Sequence, residues 1–365
     1  MRRSLVRSGG RPSGGRPSGG PPSGGRKRRS IGGRTLVVTA LAAVCLLFGS
    51  LAGAKAANPA APTAPPAPPI VLTRPLPAPE VVFAGSATRL AWPTHGEAAI
   101  AVSGLGTVGS SGEDKPVPIA SVAKVMTAYL TLVDHPLAIG QSGSTYTFTK
   151  ADVADLHHRE ALDQSVLPVV AGERLSEYQL LEGMLLPSGN NIAAVLARYD
   201  AHGSLARFVN QMNANAAAMG LSHTHYTDPS GFLPSTVSTA LDQVNLARAA
   251  MANPVFAHIV DETKVTLPLV GKLANDDSLV GRDGFIGIKT GSDSQAEGCF
   301  TFADRKYISA HEVTIFGVVL GQGRTTGGPV VKVALQAGKT LADSVAAHFK
   351  LAPVLPSGAV GQILG

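Results

Sequence analysis

Before about residue 83 the sequence offers almost nothing from which a hydrophobic core could be built. After it, apolar residues recur at helical and strand spacing, so whatever folds here must fold from the second part. Residues 1–34 carry ten of the 31 basic residues and no acidic one, and include "SGGRPSGGRPSGGPPSGGRKRR", a Ser-Gly-Gly-Arg-Pro repeat of a composition expected to stay disordered. The remaining residues hold 21 basic against 25 acidic side chains, so the net charge of +6 belongs to the tail and the body is mildly acidic.

A nucleic-acid arm is one reading of such a tail. The adjoining apolar segment argues against it, and no nucleic-acid partner is expected. Residues 35–54, "TLVVTALAAVCLLFGSLAGA", form twenty residues without a charge, about the length that crosses the hydrocarbon layer. Basic residues ahead of a first apolar span hold the N-terminus in the cytoplasm and send the rest of the chain across the membrane. A buried core helix is the competing reading, which the cationic flank disfavours. "AKA" at 54–56 also fits a signal-peptide cleavage site, so residues 35–56 are expected to act either as a membrane anchor or as a cleaved signal. Residues 57–82 are rich in Pro and Ala and predict a semi-rigid spacer of about 3.1 Å per residue. The body is thus expected outside the cytoplasm, in the cell envelope.

The predicted domain runs over residues 83–350, with residues 351–365 as a C-terminal tail. Its one cysteine is Cys299, and the other, Cys45, lies in the apolar span, so no disulfide framework is available inside the body. Periodicity predicts an early strand or hairpin start at 98–106 and helices near 121–133, 176–186, 190–200, 204–219 and 239–252. Strands are predicted at 285–290, 298–303 and 312–321, and a closing helix at 329–349. That order suggests an α/β (α+β) fold, one antiparallel sheet flanked by helices with an α-rich subdomain.

Within "PIASVAKVMTAYL" a single cation, Lys124, follows Ser121 by three residues among apolar neighbours. On one helix face the two side chains would be neighbours. A serine hydroxyl is a poor nucleophile unless a base takes its proton, and burial can lower a lysine pKa until it serves. The plain alternative is a lysine snorkelling at a helix end. Two further stretches bear on the choice: Ser188-Gly189-Asn190 in "LLPSGNNIAA", before a predicted helix, and Lys289-Thr290-Gly291 in "GFIGIKTGSDSQAEGCF", on a predicted strand. Singly, the first also fits an N-cap with a turn and the second a hairpin. Together and in this order they are far more specific.

Ser-x-x-Lys, Ser-x-Asn and Lys-Thr-Gly in this order are the signature of penicillin-binding proteins and serine β-lactamases. Over about residues 85–350 the chain resembles the low-molecular-mass serine D-alanyl-D-alanine carboxypeptidases, also through "MGLSHTHYTDPSGF", where Phe232 stands for a usual Leu. The resemblance implies a β-lactamase/transpeptidase-like fold and a peptidoglycan stem peptide ending in D-Ala-D-Ala as substrate, with β-lactams as inhibitors. It implies Ser121 as nucleophile, Lys124 as its base and Ser188 as proton carrier. Asn190 would hold the substrate amide, Lys289 and Thr290 the terminal carboxylate, and Gly291 would allow close approach. The N–H groups of Ser121 and Ser292 would form the oxyanion hole. Ser292 stands where several relatives carry a larger residue. No cofactor is implied. The residues after the last helix are too few for the β-rich domain of some members, so no C-terminal membrane helix is expected.

The other constellations read plainly. "HH" at 157–158 and "HTH" at 223–225 lack the spacing of a zinc peptidase and are expected to be surface or turn histidines, so no metal site is expected. Cys299 is expected to pack as a small apolar side chain, and the glycine-rich "GLGTVG" and "GQGR" to be turns.

Three alternatives stay open. A class A β-lactamase shares the motifs, but Glu262 is the one glutamate between Asn190 and Lys289 and lacks the setting of a deacylating base. A peptidoglycan endopeptidase would use the same nucleophile. A non-catalytic wall-binding scaffold should have lost one of Ser121, Lys124, Ser188 or Lys289, and none is lost.

Overall fold

The computed structural model describes residues 81–353 apart from 85–86, 309–310 and 324–328. The basic tail, the apolar span, most of the linker and most of the C-terminal tail lie outside the described residues. Among the described residues no helix is long and apolar enough to cross a membrane.

Five antiparallel strands form the main sheet: β1 (Glu97–Val102), β2 (Gly106–Ser111), β3 (Phe285–Asp293), β4 (Glu297–Ile308) and β5 (His311–Gln322). Their spatial order is β3-β4-β5-β1-β2, which puts the early hairpin beside the late one and leaves β3 on an edge. The strand β1 reads Glu-Ala-Ala-Ile-Ala-Val and is buried throughout. Side chains alternate faces along a strand, so Ala99 and Ala101 join one core while Ala98, Ile100 and Val102 join another. A strand covered on both faces loses the polar alternation of a half-exposed one.

The first core lies under the helices α1 (Lys124–Asp134), α2 (Lys150–Glu160), α3 (Glu177–Leu185), α4 (Asn190–Asp200), α5 (Leu205–Ala218), α6 (Ala240–Met251) and α7 (Pro254–Val260). The second lies under α8 (Val330–His348), whose Ala334, Leu341, Ala342 and Val345 cover Ile100, Phe300, Phe302 and Val319. Full burial of such a Phe or Leu side chain contributes about 1.5–3 kcal/mol. Cys299, on the helical side of β4, is fully buried, and burial pushes its thiol up to about 12, which suits packing rather than redox chemistry. At the ends of the body, Val81–Ala84 pairs antiparallel with Lys350–Pro353.

The antiparallel sheet, the helical middle and the closing helix match the expectation, with most bounds shifted by only a residue or two. The largest departures are at strand ends, where β3 and β4 run on to Asp293 and Ile308. Two helices had no periodic signal. The helix α2, "KADVADLHHRE", buries only Asp152 and Leu156 and is started by a capping box in which Thr149 and Asp152 bond reciprocally. The short α7 starts from Asn253, whose side chain accepts from the N–H groups of Val255 and Phe256, with Pro254 next to it.

Candidate active site

The segment around Ser121 is not one α-helix. Ala120–Ala123 form a single 3₁₀ turn and the α-helix begins at Lys124. Side chains three apart eclipse in a 3₁₀ turn, which lines Ser121 up with Lys124 along one edge. Ala120 sits at φ 45°, an uncommon conformation for a residue with a Cβ. It is held by the "DPSGF" loop, where Gly231 (φ 77°) packs so closely that a Cβ on it would lie 1.8 Å from the Ala120 carbonyl oxygen. Asp228 shapes that loop by accepting from the Ser230 N–H (3.1 Å), the Ser230 hydroxyl (2.6 Å), the Phe232 N–H (3.1 Å) and the Thr236 hydroxyl (2.7 Å). Thr127, one turn into α1, donates to the Pro229 carbonyl at 2.7 Å and pins the loop to the helix.

Lys124 is fully buried. Its Nζ lies 2.6 Å from Ser121 Oγ, 2.6 Å from Asn190 Oδ1, 3.3 Å from Ser188 Oγ and 3.3 Å from the Ser230 carbonyl oxygen. Burial lowers its pKa well below the ordinary lysine range, and the neighbouring cation Lys289 lowers it further. Without its extra proton Lys124 has two N–H groups, enough for the two pure acceptors Asn190 Oδ1 and Ser230 O, and a lone pair free to take the Ser121 proton; with it, Nζ donates to Ser121 Oγ as well.

Ser188 and Asn190 reach this point from the turn between α3 and α4. Ser188 adopts φ 64°, Asn190 is the first residue of α4, and both are buried. From the other side, β3 runs its end against the 3₁₀ turn. A Cβ on Gly291 would sit 3.0 Å from the Ser121 nitrogen and 3.2 Å from the Ile119 oxygen, so only a glycine lets the strand pass this close. Lys289, two residues earlier, is buried. Burial brings its pKa down to about 8 against the raising effect of Asp276 and Asp277. Asp277 is itself buried and pushed up to about 6.

A cleft of about 280 Å³ opens above these groups, lined by Ser121, Ser188, Thr290, Gly291 and Ser292 together with Ser165, Asp276 and Val331. Of the eight residues predicted from the sequence, Ser121, Ser188, Thr290, Gly291 and Ser292 line the cleft, Lys124 and Asn190 bond beneath it, and Lys289 is buried on β3 next to Thr290. Sequence reasoning missed the Ser230 carbonyl, Asp276 and Asp277, and a pair on the far side of Asn190, Arg159 and Gln164. For Ser230 a signal existed in the turn chemistry of "DPSGF"; for the pair there was none, because α2 carries no apolar period. The histidines lie elsewhere: His157 and His158 close α2, and His225 makes a bridge to Val237. Among the described residues no group of three or more His, Cys, Asp or Glu is placed to hold a metal.

A serine against a buried lysine, with a second serine within reach beneath a small cleft, is an arrangement suited to acyl transfer through the serine. The sequence profile of the D-alanyl-D-alanine carboxypeptidase family, peptidase family S11, matches residues 104–322, and the chain belongs to that family. Its fold is shared with the D-alanyl-D-alanine carboxypeptidase structure from Mycobacterium tuberculosis H37Rv. The TM-score is 0.61 at 30% identity, over 77% of this chain and 100% of that one. The Streptomyces K15 DD-transpeptidase gives 0.60 at 26% identity, over 70% and 99%. In sequence, the D-alanyl-D-alanine carboxypeptidase DacB2 of M. tuberculosis is 39% identical over 202 residues, 53% of this chain and 65% of that protein. A D-alanyl-D-alanine endopeptidase of Pseudomonas aeruginosa is 32% identical over 148 residues, 40% and 44%. The chain thus spans just under two thirds of the length of the first of these curated relatives.

Proposed function

We propose that this protein is a serine D-alanyl-D-alanine carboxypeptidase that removes the terminal D-alanine from peptidoglycan stem pentapeptides. The observation that carries the reading is the fully buried Lys124 Nζ at 2.6 Å from Ser121 Oγ, with Ser188 and Asn190 on its other sides. In this reading Ser121 Oγ adds to the carbonyl carbon of the D-Ala-D-Ala bond while its proton passes to Lys124. The oxygen that becomes negative sits between the Ser121 and Ser292 N–H groups, fixed donors worth roughly 10²–10³ in rate each. Ser188 relays a proton from Lys124 to the leaving nitrogen, the C–N bond breaks, and D-alanine departs, leaving an ester on Ser121. Water then adds to the ester with Lys124 again taking a proton, which restores the serine.

Lys289 and Thr290 hold the terminal carboxylate, which an internal peptide bond lacks. Asn190 has one amide N–H engaged with Gln164 and a second available to the substrate backbone. A β-lactam would acylate Ser121 by the same first step. Export fits the substrate, and residues 35–56 would supply it as anchor or cleaved signal, with the Pro/Ala-rich segment 57–82 as spacer, the catalytic body at 83–350 and a tail at 351–365.

The test is product analysis with the full chain. An acetylated tripeptidyl-D-Ala-D-Ala should yield free D-alanine and the tetrapeptide, and Ser121→Ala should yield none. Cleavage of cross-linked muropeptide dimers in preference to the pentapeptide would instead establish the endopeptidase reading.

A further inference from the structure

Asn190 faces two ways. Its Oδ1 is 2.6 Å from Lys124 Nζ, and its Nδ2 donates to Gln164 Oε1 at 2.9 Å. An amide side chain has nearly the same shape when turned over, so something must decide which end meets the lysine. The Asn190 backbone does not, since its N–H simply donates to the Ser165 carbonyl at 2.8 Å. Gln164 is also an amide and has the same ambiguity. The chain of contacts ends at Arg159, whose Nη1 donates to the same Gln164 Oε1 at 3.1 Å. A guanidinium has donors and no acceptor, and it never loses its charge in a protein. It therefore forces Gln164 to present its oxygen. That oxygen forces Asn190 to present its Nδ2, and Asn190 is left with Oδ1 toward Lys124. Arg159 is itself steadied by Asp155, whose carboxylate accepts from Nε at 3.0 Å.

We propose that Arg159 and Gln164 are positioning residues that set the polarity of Asn190, so that Lys124 gives an N–H to Asn190 and keeps its lone pair for Ser121. The proposal rests on the acyl-transfer reading above. With the amide reversed, Asn190 Nδ2 would donate into that lone pair and compete with the serine proton. Arg159 also adds to the positive field at Lys124 and helps to keep it neutral. The charged groups bearing on Lys124 are Lys289 from β3, Arg159 from α2, Asp228 from the "DPSGF" loop and Asp276 from the loop before β3, the two cations lowering and the two carboxylates raising its proton affinity.

The experiment is the acylation rate of the full chain by benzylpenicillin, followed by intact mass across pH 5–10, for wild type, Arg159→Met, Arg159→Lys and Gln164→Ala, with a melting curve for each. Arg159→Met should acylate roughly 10- to 100-fold more slowly, the scale of a displaced catalytic group, and its acid limb should move to higher pH. Arg159→Lys should restore the limb, because the charge returns. Gln164→Ala should lower the rate by a similar factor with the limb in place. Wild-type rates and limb in Arg159→Met and Gln164→Ala would overturn the proposal while leaving the acyl-transfer reading intact. So would a loss accounted for by the unfolded fraction in the melting curves. Failure of the wild type itself to be acylated would remove both.

Discussion

The helices α1 and α4, each of 11 residues, both begin at the cleft and end about 15 Å away at 1.5 Å per residue, and their two ends treat buried charge differently. At the cleft end, Lys124 opens α1, a cation at the positive pole of a helix. Four oxygen atoms nonetheless lie within 3.3 Å of its Nζ, and both ends of Asn190 are engaged. At the far end, Asp134 closes α1 and Asp200 closes α4, carboxylates at negative poles. There both Asp200 carboxylate oxygens and His135 Nε2 are buried without a well-formed hydrogen bond: Gln211 and Asp134 bear on Asp200 only loosely, and His135 lies 3.7 Å away. Burial with the neighbouring Asp134 carboxylate pushes Asp200 up to about 7. Both ends place a charge where desolvation and the helix field disfavour it. At the cleft a built polar network puts that lowered proton affinity to use, on an amine 2.6 Å from a hydroxyl.

The comparison breaks most sharply at Lys124. Lys124→Met should slow benzylpenicillin acylation by about 10²–10⁴, the range of general-base loss, and near-normal acylation would show that the lysine is not the base. Next comes Gly231→Ala, whose new Cβ cannot fit against Ala120 O and must push the loop and its Ser230 carbonyl off Lys124. A fall of roughly 10²-fold is expected from such a displacement, together with a lower melting temperature.

A smaller effect is expected at Lys289. Lys289→Gln removes a cation that lowers the Lys124 pKa, so the acid limb of acylation should shift to higher pH, and KM for a peptide carboxylate should rise more than kcat falls. A limb that stays in place would mean that Lys289 is not among the groups that lower the Lys124 proton affinity.

The smallest change is predicted at the far end. The raised Asp200 pKa means that its contribution to stability is present below the ordinary value near 3.8 and is lost as pH rises through about 7. Asp200→Asn should therefore gain melting temperature over wild type progressively between about pH 4 and pH 7 and level off above. Acylation should be unchanged, since no part of the cleft is touched. A gain as large at pH 4 as at pH 8 would contradict the buried-carboxylate account.

Three short motifs made the candidate residues in and beneath the cleft legible, because they carry residue types whose chemistry needs neighbours, and periodicity put them on a helix, a turn and a strand. It did not reveal the 3₁₀ turn at Ser121, because that conformation is imposed by Gly231, 110 residues away in the chain. Arg159 and Gln164 stayed hidden for a related reason. The helix that carries Arg159 is mostly polar and held by a capping box, so its inward face shows no apolar stripe. The two-faced sheet was legible in outline only. The all-buried β1 reads as a hydrophobic run, and the partition of its side chains between two cores depends on pairing with β5, more than 200 residues later.

The central claim is that the buried Lys124 makes Ser121 a nucleophile, and the most direct measurement is the intact mass of the full chain after benzylpenicillin, beside its Ser121→Ala twin. The expected result is a penicilloyl adduct on the wild type, mapped to the peptide containing Ser121, and none on the variant. A folded wild type that remains unmodified in the presence of intact penicillin, or an adduct that persists in Ser121→Ala, would contradict it.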